Sequence, residues 1–217
     1  MEFKTNSEGI DSWKEVTLVY HAALRQVETK MEILNDEFQH VHQYNPIEHI
    51  KSRIKTPESI VKKLKRNRYE STIENMVKHV NDIAGIRIIC SFTSDIYRIA
   101  EMISDQRDIK VIAVKDYITF PKASGYKSYH MIVTVPVYLS DRIVDTKVEI
   151  QIRTVAMDFW ASLEHKIHYK FEGDAPEHVR SELMECAKLV SDLDARMLSL
   201  NEEISAISQR ERHKMTS

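Results

Sequence analysis

The chain has 217 residues, 42% of them hydrophobic and 29% charged, which is the profile of a globular protein and not of a disordered one. The formal net charge of −2 gives no global signature of nucleic-acid binding, though it leaves room for a local basic patch. No apolar run approaches the ~18 residues of a membrane span, the polar start has no signal-peptide pattern, and Cys90 and Cys186 form neither a disulfide framework nor a metal motif, so the expected compartment is the cytoplasm.

In chain order, Trp13, Thr17, Tyr20, Leu24, Val27, Met31, Leu34, Phe38 and Val41 follow one another in alternating steps of four and three. This period predicts a long helix with a coiled-coil-like seam, packed either on the core or against another subunit. A second helix is predicted from Thr56, as N-cap, and Pro57, at the first helical position, through a Lys/Arg-rich stretch to about Arg66. Ile83 to Phe92 reads as a buried strand, and Ser94 to Asp105 as a helix whose start Asp95 stabilises. Lys110 to Val114 and Met131 to Val137 read as strands. From Lys147 to Arg153 polar and apolar residues alternate, with Lys147, Glu149, Gln151 and Arg153 on one face and Val148, Ile150 and Ile152 on the other. Val179, Leu183, Cys186, Val190, Leu193, Met197, Leu200, Ile204 and Ile207 repeat the helical seam. The sum is a small sheet with helices behind it and a polar face in front.

Glycine is scarce, and no GxGxxG or Walker-type loop exists, so a phosphate site here would not use a glycine-rich cradle. Three clusters could carry chemistry instead. Asp82 stands at the mouth of one strand and Glu149 on the polar row of another; two carboxylates from neighbouring strands can hold one Mg²⁺. Gly85 would let a ligand or backbone approach closely. The run Ser52-Arg53-Ile54-Lys55, followed by Ser59, Lys62, Lys63, Lys65 and Arg66, puts cations and a hydroxyl at a helix N-terminus, where a triphosphate can bind. In Pro121 to His130, Gly125 frees the backbone, Tyr126 offers a flat face to a base, and Lys122, Lys127 and His130 can address phosphate or base edges. Taken singly, each cluster also reads as ordinary surface: a solvated strand row, a turn aspartate, a basic helix face, a polar loop.

Together, Ser52-Arg53-Ile54-Lys55, Asp82-Ile83-Ala84-Gly85-Ile86-Arg87, Gly125-Tyr126-Lys127-Ser128-Tyr129-His130 and Glu149-Ile150-Gln151-Ile152-Arg153-Thr154 resemble the Rel/Spo synthetase domain in order and spacing. The helical flanks and the run Asp158 to Lys166 resemble the small alarmone synthetases, of the RelP type. The resemblance implies an α/β (α+β) fold with a mixed five-stranded, nucleotidyltransferase-like sheet flanked by helices. It also implies one synthetase domain over 1–217, with its core at about 45–170 and helical flanks at 11–43 and 176–212. The implied reaction moves the β,γ-diphosphate of ATP to the ribose 3′-hydroxyl of GDP or GTP, with Mg²⁺ as cofactor, to make (p)ppGpp. Arg53 and Arg87 would sandwich adenine, and Lys55, Ser59, Lys63 and Arg66 would hold the ATP phosphates. Asp82 would bind Mg²⁺, with Glu149 as second ligand or as the base. Tyr126 would stack on guanine, with Lys122, His130 and Gln151 fixing the acceptor.

Some positions depart from the family pattern. Ala123-Ser124 replaces Pro-Asn, Lys127 replaces an Arg, and the basic character of Ala113-Val114-Lys115-Asp116 leans towards GDP. No His-Asp pair with a second His appears, so synthesis without hydrolysis is expected. A homo-oligomer is expected, a tetramer by resemblance, with no membrane partner and at most weak RNA binding. The alternatives are a pyrophosphokinase acting on the 3′ end of tRNA and an inactive RNA-binding oligomer.

Overall fold

A computed structural model describes residues 13–42, 44–170 and 176–216. The elements are α1 (Trp13–His40), β1 (Ile47–Ile54), α2 (Pro57–Arg66), α3 (Ile73–His79), β2 (Ala84–Cys90), α4 (Thr93–Ser104), β3 (Lys110–Asp116), β4 (Tyr129–Tyr138), β5 (Ile143–Thr154), α5 (Val155–Lys170) and α6 (Glu177–Thr216). Residues 11, 12 and 43 of the expected N-terminal flank lie outside the described residues.

The five strands form one mixed sheet in the order β1-β2-β5-β4-β3. Only the β2–β5 pair is parallel; the other pairs are antiparallel. The alternation along β5 is realised as expected: Val148, Ile150 and Ile152 are fully buried, while Glu149 and Gln151 keep partial exposure on the opposite face. The apolar face packs under α1 and α4, and α1 crosses β1, β2, β4 and β5. That is why α1 carries its seam: Tyr20, Leu24, Val27, Met31 and Phe38 are buried, with Val19 and Ala23 beside them, and burying the larger of these side chains stabilises the fold by roughly 1.5–3 kcal/mol each. The α6 seam fares otherwise. Its first turns pack on α5, but Leu193, Met197, Leu200, Ile204 and Ile207 are exposed.

Local signals explain the helix ends. Thr56 caps α2, accepting from the Ser59 amide, and Pro57 opens the helix. Asp95 accepts the Phe92 N–H (3.1 Å) at the start of α4, where Phe92 has no capping group of its own. Strand β1 was not evident from its pattern, because Glu48, His49, Lys51, Ser52 and Arg53 are all exposed and only Ile47 is buried. It is an edge strand whose pairing to β2 brings Lys51 and Arg53 onto the polar face.

Candidate active site

Pairing register assembles the polar face. Arg53, Gly85 and Glu149 occupy paired positions on β1, β2 and β5. One step along, Lys51, Arg87, Gln151, His130 and Lys115 form a second row across all five strands. A cavity of about 220 Å³ opens between the rows, lined by Lys51, Arg53, Gly85, Arg87, Glu149 and Gln151. A Cβ at Gly85 would meet no atom nearer than 3.9 Å. Packing therefore tolerates a side chain there; what its absence leaves bare is the cavity floor between Arg53 and Glu149.

Below this floor lies a second group. The Lys55 N–H extends the β1–β2 ladder to Ile83 O (2.8 Å), which sets its side chain beside Asp82. Lys55 Nζ donates to Asp82 Oδ2 (2.9 Å) and Lys63 Nζ, from α2, to Oδ1 (2.7 Å). Burial pushes the Asp82 carboxyl up, but the hydrogen bonds and charges of Lys63 and Lys55 outweigh it and hold the group below the usual carboxylate range. Ser59 and Arg66 fall at helical spacing from Lys63 but stand exposed, and neither lines the cavity.

Glu149 sits between the cavity lined by Arg53 and Arg87 and the side chains of the following loop and strand. Gln151 Nε2 donates to its Oε2 (2.8 Å), and His130 Nδ1 lies 3.5 Å from Oε1. Burial raises this carboxyl, as does the charge of Asp82, yet the contacts from His130 and Gln151 bring it below its ordinary value. Both carboxylates are thus ionised at neutral pH and close enough to feel each other.

The segment 117–128 supplies the far side. Its start is fixed by Asp116, which accepts the amides of Ile118 (2.9 Å) and Thr119 (3.0 Å). Its tip needs glycine: Gly125 has φ 86°, and a Cβ there would lie 2.5 Å from that of Ala187 on α6. Lys127 donates to Ser191, also on α6. Tyr126 Oη meets His130 Nε2 (2.8 Å), which links the loop to Glu149. The Lys122 ammonium lies 4.5 Å from the Tyr126 ring centre and 4.8 Å from that of Tyr117. Burial lowers the Lys122 pKa, while Glu149 opposes the change.

Every predicted site residue except Ser59 and Arg66 therefore joins one of three contiguous groups on this face. Two further residues belong to this network. Arg153, the last member of the polar row, is 4% exposed and donates to Ser128 Oγ, Tyr126 Oη, Gln151 Oε1 and Asp158 Oδ1. Asp158, in the first turn of α5, also accepts from Arg87 Nη1 (3.0 Å). Alternation placed Arg153 on the right face, but an acid at a helix start is sufficiently explained by the helix dipole, so only the tertiary contacts single out Asp158.

The donor set suits a hard cation. Asp82 and Glu149 offer ionised oxygens, and among the described residues no group of three or more His, Cys, Asp and Glu could hold a metal unaided. Mg²⁺ typically takes one or two carboxylates and completes its shell with phosphate oxygens and water.

Comparison with known proteins agrees with the geometry. A model of the region found in RelA/SpoT proteins matches residues 52–174. The GTP pyrophosphokinase YwaC of Bacillus subtilis is 49% identical over 195 residues, covering 90% of this chain and 93% of the relative. The crystal structure of small alarmone synthetase 2 from Bacillus subtilis superposes with a TM-score of 0.80 at 48% identity, over 88% of this chain and 98% of that one. Small alarmone synthetase 1 of the same organism, bound to its product pppGpp, gives a TM-score of 0.83 at 34% identity, over 88% and 97%. That protein has also been solved bound to AMPCPP, with a TM-score of 0.78 at 31% identity over 89% of this chain and 98% of that one.

Proposed function

The chain belongs to the family defined by the region found in RelA/SpoT proteins, and from that premise we propose that it is a (p)ppGpp synthetase, a GTP pyrophosphokinase. It transfers the β,γ-diphosphate of ATP to the ribose 3′-hydroxyl of GDP or GTP and releases AMP. The observation that carries this reading is the place of Glu149. It stands on the central strand, with the cations of β1, β2 and α2 on one side and Tyr126, His130 and Lys122 on the other. An ionised carboxylate between two nucleotide-binding clusters is what a transfer between two nucleotides needs.

On the donor side, Arg53 and Arg87 take the adenine against their flat guanidinium groups, over the bare floor at Gly85. Lys55 and Lys63 take the phosphates, exchanging the Asp82 oxygens for phosphate oxygens as ATP enters, and Ser59 and Arg66, exposed on α2 at helical spacing from Lys63, join them outside the cavity. Asp82 and Glu149 are the residues that would hold Mg²⁺, which when bound offsets the charge on the transferred group. On the acceptor side, Tyr126 stacks on guanine once Lys122 has left its ring, and Lys122, His130 and Gln151 orient the nucleotide. Glu149 accepts the proton of the 3′-hydroxyl, whose oxygen bonds to the β-phosphorus as the bond from that phosphorus to the AMP oxygen breaks. Positioning and charge neutralisation do most of the work in such a transfer.

The proposal covers synthesis only, because the sequence offers no His-Asp pair for hydrolysis. The reaction belongs in the cytoplasm, where both nucleotides are held; among the described residues no helix is long and apolar enough to cross a membrane. The exposed α6 seam is read as the surface of self-association into a homo-oligomer, with a tetramer as the family resemblance implies. The test is to incubate the protein with γ-labelled ATP and Mg²⁺ and with GDP, GTP or bulk tRNA in parallel. Label in ppGpp or pppGpp is the expected result. Label on tRNA alone overturns the acceptor, and no transfer to any of them overturns the reading.

A further inference from the structure

One carboxylate oxygen connects the two halves of the site. Asp158 Oδ1 accepts from Arg87 Nη1 at 3.0 Å and from Arg153 Nη1 at 3.1 Å, and its side chain is 15% exposed. Arg87 is a wall of the donor cavity. Arg153 is the buried hub that holds the Tyr126 hydroxyl, Ser128 and Gln151. An unbroken chain of polar contacts thus runs from Arg87 through Asp158, Arg153 and Tyr126 to His130 and Glu149.

The arrangement is a poor one for stability alone. Arg87 Nε is buried and has no hydrogen-bond partner, and an unmade bond of that kind is a cost. The guanidinium is also crowded: burial first, then the charges of Arg153 and Arg53, lower its pKa, with Asp158 acting against them. Arginines gathered in this way need a reason other than packing: Arg87 lines the cavity, and Arg153 holds the Tyr126 hydroxyl.

We propose that Asp158 is a positioning residue that couples the two substrates, so that either nucleotide binds more tightly when the other is present. A donor nucleotide that fixes Arg87 against Asp158 also fixes Arg153, and with it the Tyr126 platform. The acceptor then binds side chains whose freedom has already been lost. Because the effect is a coupling free energy, it acts equally in both directions. The inference rests on the reading of Arg87 as donor-side and Tyr126 as acceptor-side.

The experiment measures GDP binding to the whole protein with and without saturating α,β-methylene-ATP and Mg²⁺, and the reverse, by calorimetry. Wild-type protein should show a mutual tightening of roughly 5-fold or more. Asp158→Asn should reduce it to less than about 2-fold while each nucleotide still binds alone, and Asp158→Glu, which keeps the charge, should recover part of it. Should Asp158→Asn not fold, Tyr126→Phe keeps the ring and removes only the hydroxyl in the chain, and it should weaken the coupling too. Undiminished coupling in the folded variant, or none in the wild type, overturns the proposal. A wild type that binds neither nucleotide overturns instead the functional reading beneath it.

Discussion

Replacing Glu149 by glutamine keeps the shape of the side chain and removes its charge, so the consequences can be worked out atom by atom. In the wild type Oε2 accepts from Gln151 Nε2, and Oε1 lies 3.5 Å from His130 Nδ1. A glutamine can still accept from Gln151 through its one oxygen. Its amide then faces His130, which keeps the contact only by presenting a bare Nδ1. At most one modest hydrogen bond is lost, worth about 1 kcal/mol, and a protein of this size should melt within about 4 °C of wild type. Catalysis should suffer far more. Loss of a positioned proton acceptor costs about 10²–10⁴-fold in rate, or roughly 3–5 kcal/mol of barrier. The assay is AMP release from ATP with saturating GDP, beside a thermal melt of the same preparation. A folded variant turning over within a factor of about 3 of wild type would refute the assignment of Glu149.

Gly85→Val should leave the fold intact, since a Cβ has room there, yet fill the cavity floor; the expected outcome is a fall in kcat/KM for ATP of roughly 10²-fold, read from initial rates. Gly125→Ala should cost about 1–3 kcal/mol in denaturant unfolding and raise KM for GDP, because it meets both a φ of 86° and the Ala187 Cβ. Adding Ala187→Gly should recover the overlap but not the backbone strain. Asp82 has its folded pKa lowered, so its pairing with Lys55 and Lys63 contributes stability that is present above the unfolded value and lost as pH falls through the folded one. The stability gap between wild type and Asp82→Asn should accordingly hold steady near neutrality and shrink in acid below about pH 4, as measured by urea unfolding across pH. Leu200→Glu, in the exposed part of α6, should lower the mass seen by light scattering without changing the melt of the core.

What the sequence made legible follows from how local its causes are. β5 could be read because its alternation answers to burial on a single face, and α2 because Thr56 and Pro57 mark a helix start within two residues. β1 could not, since an exposed edge strand has no pattern to show. The two helical seams look alike in sequence, yet α1 is covered by the sheet and the distal part of α6 is not; periodicity records an apolar stripe but not what lies against it. Asp82, Lys55 and Lys63 were each visible as candidates, but their mutual pairing depends on the β1–β2 ladder setting Lys55 beside Asp82 and on α2 carrying Lys63 to it. Asp158 and Arg153 lie deepest in this respect, because their contacts exist only where β5, α5 and the loop before β4 meet.

The central claim is that the chain cleaves ATP between the α- and β-phosphates and moves a diphosphate as one unit. The most direct measurement uses α-labelled ATP with unlabelled GDP and Mg²⁺, following the labelled product over the first turnovers. The account predicts labelled AMP and no labelled ADP, with AMP equal in amount to the ppGpp formed. Labelled ADP would mean that the bond between the β- and γ-phosphates breaks instead, and the mechanism drawn around Glu149 would be wrong.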